Sequence, residues 1–111
     1  MTVHTGNSVV EGLKKWKQEY IDSKDNKEAE LESLKNEREL VVEKRRCMQL
    51  ALGLVEEKSM RREAISATID GLNKRRKDLD REIDQVIAQI SLIDSINEVV
   101  IGEIDKRIGS K

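Results

Sequence analysis

No proline occurs in these 111 residues, phenylalanine is absent, and cysteine, histidine, tryptophan and tyrosine each appear once. Without proline, nothing forces the chain out of a helix. A globular core of this length normally buries several large aromatic side chains, so an aromatic share of 2% argues against one. The lone Cys47 excludes an intrachain disulfide and a thiolate zinc cluster, and it points to a reducing compartment. The lone His4 lies in a polar stretch, so no catalytic triad, acid–base pair or metal pair can be built around it. Carboxylates are plentiful, but pairs such as Glu39 with Glu43 are surface patterning at helical spacing. No catalytic, cofactor-binding or metal-ligating residue is therefore expected, and no enzyme. Nothing approaches the run of about 18 apolar residues that a membrane span needs. The first residues lack the basic segment and apolar core of a secretory signal, so the expected location is cytoplasmic or nuclear.

Charge is abundant but balanced. Lys and Arg number 21 against 22 Asp and Glu, 39% of the chain, for a formal net charge of -1. That balance gives no general attraction to nucleic acid or anionic lipid. The basic cluster Lys74-Arg75-Arg76-Lys77 precedes a heptad run, as the basic region of a leucine-zipper factor would. However, Asp78, Asp80 and Glu82 follow at once, and Ser91 stands where the next zipper leucine is needed. A solvated helix face is the plainer reading, with a nuclear-localisation role as a lesser one, and nucleic acid is not an expected partner.

What the chain does have is a seam. Ile69, Leu72, Leu79, Ile83, Val86, Ile90, Ile93, Val100 and Ile104 recur at alternating steps of three and four, which is a heptad pattern with Arg76 and Asn97 in two of its a positions. These residues, Asn97 included, form the expected oligomer interface. A buried Asn at a would pair with Asn on a neighbouring helix and fix register and strand number. Toward the C-terminus the stripe broadens: Ile87, Ile101 and Ile108 fall at e, Ile96 at g, and Leu92 and Val99 at c. A two-stranded seam cannot bury them all, so a bundle of at least four helices is expected there.

Upstream, residues 1–7 read as a polar tail, and Ser8 with Glu11 has the spacing of a capping box that would start a helix over 8–22. Val9, Leu13, Trp16 and Tyr20 share one face of it. Ser-Lys-Asp-Asn-Lys at 23–27 is a first candidate break, although continuous solvated helix is equally allowed. Leu31, Leu34, Val41, Met48, Leu52 and Val55 continue at heptad-like spacing, with Arg38 and Arg45 in intermediate seam sites, their heads able to reach a carboxylate such as Glu37 or Glu43. The stretch 47–55 is apolar nearly all round and calls for more than one neighbour, with Cys47 as a buried small hydrophobe. A second candidate break at 56–59 coincides with a three-residue shift in seam phase. That shift means either a stammer in one long helix or a turn between antiparallel helices. An opposite offset between Tyr20 and Leu31 cancels it, which tips the balance toward one helix from Val9 to Ile108.

The expected fold is thus all-α: an elongated coiled coil, 23–108, with a multi-helix bundle in its C-terminal part and a short tail at 109–111. The expected function is a non-enzymatic oligomerisation or scaffold subunit, a rod joining or spacing protein subunits in a cytoskeletal, kinetochore-like or tethering complex. The alternative is a compact helical hairpin or bundle adaptor that receives a partner helix through 83–108. Partners are homo- or hetero-oligomeric copies met through the coiled coil. Trp16, Tyr20, Met48, Leu52, Val55, Leu92, Val99, Ile101 and Ile108 are candidate partner contacts.

Overall fold

The structure is a computed structural model that describes the backbone of residues 2–109 and the side chains of residues 8–109. It is all-α: helix α1 runs from Thr2 to Leu52 and helix α2 from Met60 to Gly109. Of the short tails, residues 1, 110 and 111 lie outside the described residues. Ser8 caps nothing, because α1 is already under way at Thr2, which the absence of proline allows. The candidate break at 23–27 is also helical throughout. Lys24 bonds Glu28 at 3.6 Å and Lys27 bonds Glu30 at 3.1 Å, so this polar stretch carries its own i,i+4 and i,i+3 support.

The chain leaves the helix over 53–59, slightly ahead of the second candidate break. A single helix from Val9 to Ile108 does not form, and the three-residue phase shift marks an antiparallel turn. Local hydrogen bonds account for it. Leu54 N donates to Ala51 O at 3.0 Å, closing the end of α1. Ser59 is the N-cap of α2: its Oγ accepts from Arg62 N at 3.1 Å and donates to Glu56 O at 2.9 Å. Arg62 reaches back to donate to Leu52 O at 3.2 Å, satisfying a carbonyl left over at the α1 terminus. Lys58 has a φ of 61°, in the left-handed region. Glycine takes up that conformation without the Cβ clash that strains lysine. Lys58→Gly is therefore expected to raise the stability of the hairpin by about 0.5 kcal/mol, read as a higher urea midpoint. A lower midpoint would mean the turn does not hold that φ.

Two compact units result, one comprising residues 31–85 and the other residues 1–30 with 86–111. In the first, the ends of α1 and α2 flanking the turn pack antiparallel. Glu37 accepts from Arg75 Nε at 2.8 Å and lies 2.7 Å from its other nitrogen, a forked pair, and Arg38 meets Asp80 at 3.4 Å. The Glu37 carboxylate holds the Arg75 guanidinium above its ordinary range. Val41, Ile69, Leu79 and Ile83 are buried here, Leu79 completely. Cys47, expected to be buried, is exposed. The apolar stretch around it is only partly covered, because a helix pair hides one stripe of each helix and leaves Leu50 and Leu54 open.

Candidate functional site

The second unit pairs the beginning of α1 with the end of α2. Lys17 meets Asp105 at 2.7 Å and Lys24 meets Asp94 at 2.6 Å, so numbering rises on one helix as it falls on the other. The Asp94 carboxylate, by hydrogen bond and charge, keeps the Lys24 ammonium above its usual range. Val86, Asn97 and Ile104 are buried at this interface, and Ile90, Ile93 and Val100 are half-buried. The seam therefore faces α1 of the same chain. Asn97 meets no second Asn: its Nδ2 donates to Tyr20 O at 3.3 Å, while its Oδ1 is buried with no partner among the described residues.

The two sides of this helix pair differ sharply. One is a charged groove of about 680 Å³, where Asp25, Glu28, Asp94, Glu98 and Asp105 outnumber Lys24 above an apolar floor that includes Ile21 and Ile101. The other is apolar. Leu13, Trp16, Val99, Val100 and Ile104 line a groove of about 370 Å³, with the exposed Glu103 and Arg107 completing its lining. Trp16 and Tyr20 stack tilted by 60° with ring centroids 5.4 Å apart, which fixes the indole on this side. The apolar side extends along α2 through Leu92, Ile96 and Val99, spaced by four and three and thus aligned on one helix face. After the pair has closed, Leu92 is still 61% exposed, Val99 65%, Ile96 43% and Trp16 46%.

Among the other predicted partner contacts, Tyr20, Ile101 and Ile108 are half-buried in this unit, and Met48, Leu52 and Val55 are half-buried in the unit around the turn. The sequence reading did not single out Leu13 as part of this surface, although its position in phase with Trp16 carried the signal. Leu40 and Met60, also exposed, fell outside every expected contact, whereas the exposed Leu50 and Leu54 lie in the stretch 47–55 that was expected to need more than one neighbour. Among the described residues, no group of three His, Cys, Asp or Glu is placed to hold a metal ion. Nor, among the described residues, is any helix long and apolar enough to cross a membrane. Compared with protein-family models, curated proteins and solved structures, the chain matches none.

Proposed function

We propose that this chain is a non-enzymatic interaction module, a pair of antiparallel helices that receives an amphipathic helix from another polypeptide along the open stripe of α2. One observation carries the reading: Leu92 and Val99 stay largely, and Ile96 and Trp16 nearly half, in water after α1 has covered the seam. Isolated exposed apolar residues are ordinary, but an aligned row beside an apolar groove marks a binding face. Burying the exposed part of each would contribute roughly 1 kcal/mol apiece. A partner with apolar residues at matching steps of three and four would fill the row, completing a bundle of three or four helices. The turn over 53–59 favours this adaptor reading over a continuous rod that spaces subunits. An adaptor of this kind would still serve a larger assembly, with cytoskeletal, kinetochore-like or tethering complexes as the settings to test first.

The test is a paired substitution on the open face. Leu92→Glu with Val99→Glu is expected to change stability by less than about 0.5 kcal/mol per site, because both positions are exposed. The same pair should weaken partner association at least a hundredfold, since two charges would have to be desolvated. A photo-crosslinker at Ile96 should form an adduct with a helical segment of the partner, and one placed at Glu28 should not. Unchanged association of the double variant, or adducts from Glu28 only, would remove this face from the function.

A further inference from the structure

We infer that the groove lined by Arg45 of α1 and Asn73, Arg76 and Lys77 of α2 is a binding site for a phosphate-type oxyanion. This groove lies in the unit around the turn and has a volume of about 380 Å³. The inference stands independently of the apolar stripe in the other unit.

The contrast with the rest of the helix pair carries the argument. At four places a cation of one helix that reaches the other meets a carboxylate: Lys17 with Asp105, Lys24 with Asp94, Arg38 with Asp80, and Arg75 with Glu37. At this groove that rule fails. Both Arg45 and Arg76 occupy seam positions that the heptad would give to aliphatic side chains, and neither has an ion pair among the described residues. The Arg45 Nε is buried and donates to nothing. The groove's one carboxylate, Asp80, is already engaged by Arg38 at 3.4 Å.

Three cations in one groove repel one another, and a buried guanidinium N–H without an acceptor costs the desolvation of that group. A small oxyanion in the groove relieves the repulsion. The arginine fork matches two oxygens of a phosphate, Lys77 adds a point charge, and the Asn73 amide donates a neutral hydrogen bond. The shared chemistry is a phosphate group, free or carried by a small molecule or lipid headgroup. The basic cluster 74–77, which in the sequence alone reads as a solvated face, thus gains a role through the cation that antiparallel pairing sets across from it.

The test uses the full chain labelled with 15N, titrated with inorganic phosphate and with pyrophosphate at constant ionic strength. The Arg45 Nε–H and Asn73 side-chain resonances should shift and saturate at or below about 10 mM phosphate, a weak but specific affinity. Pyrophosphate should bind about tenfold more tightly because it presents more charge. Arg45→Gln and Arg76→Gln should each reduce affinity about tenfold, and Lys77→Gln about threefold. Should Arg45→Gln lose helicity, the exposed Arg76 carries the test alone. Phosphatidylcholine vesicles containing a phosphoinositide provide the second arm: capture that pyrophosphate competes away assigns the phosphate to a lipid headgroup, and absence of capture assigns it to a soluble ligand. Shifts that never saturate, an affinity unchanged in Arg76→Gln, or binding of single-stranded RNA with pyrophosphate silent would each overturn the assignment.

Discussion

Leu79→Ala is expected to remove most of the chain's stability at 25 °C in the absence of a partner. Leu79 is 0% exposed, and the other buried apolar residues are few: Val41, Ile69, Ile83, Val86 and Ile104. Truncating a fully buried leucine removes its transfer free energy and leaves a cavity, at a cost of about 2–5 kcal/mol. A helix pair hides only one stripe of each helix, so its margin over the unfolded chain is on the order of 3–5 kcal/mol. The loss is comparable to the whole margin. Helicity by circular dichroism across a urea titration measures it, with Leu40→Ala as the control. Leu40 is more than half exposed, and its truncation should cost less than about 0.5 kcal/mol. If Leu79→Ala costs no more than Leu40→Ala, the seam does not close on α1.

The fold class was legible because helical content and the seam need only composition and period. Ile69, Leu79, Ile83, Val86 and Ile104 recur in phase, and these are the apolar α2 side chains that are buried. What covers them was not legible. A heptad demands a second helical surface but does not say whether that surface comes from another chain or from the same one. The deciding feature was the stretch 53–59, where Ser59 caps α2 and Arg62 satisfies the end of α1. Neither Ser59 nor Arg62 belongs to a capping box, so the local pattern was weak. The cancelling phase offsets pointed the other way, toward continuity, because a seven-residue grid is indifferent to an excursion that restores its phase.

The candidate site divides along the same line. Leu92, Ile96 and Val99 could be recognised as surplus to a two-stranded seam from their heptad positions alone, and they remain open here. Trp16 joins them only through antiparallel register, which no residue in the sequence announces. Register also decides which charges meet. Arg38 was expected to reach water or a carboxylate such as Glu37 or Glu43, and instead meets Asp80, while Glu37 takes Arg75. Successive pairs of this kind reject slipped alignments, since a one-turn shift would bring Lys17 and Lys24 away from Asp105 and Asp94.

Replacing the buried polar residue of the seam should act in the opposite direction to Leu79→Ala. Asn97 is 9% exposed, its Oδ1 has no partner among the described residues, and its one hydrogen bond, to Tyr20 O, is long at 3.3 Å. An unpaired buried acceptor costs about 1–3 kcal/mol, whereas the bond to Tyr20 contributes about 1 kcal/mol. Tyr20 O lies inside α1, where the helix's own ladder also serves it, so its loss of Asn97 strands nothing. Leucine has nearly the same branching and brings apolar area to an apolar interface. Asn97→Leu is therefore expected to raise stability by about 1–3 kcal/mol, which corresponds to a melting temperature higher by roughly 4 °C or more. The gain should come with looser pairing, because a seam without its polar residue distinguishes less between α1 and another apolar helix. Sedimentation of the variant across a concentration series should then show mass above that of one chain where the parent shows less. A lower melting temperature in Asn97→Leu would mean the carboxamide oxygen is satisfied in solution and the site is tuned to it. In that case Asn97→Asp, which keeps the acceptor and removes the donor, should melt lower still.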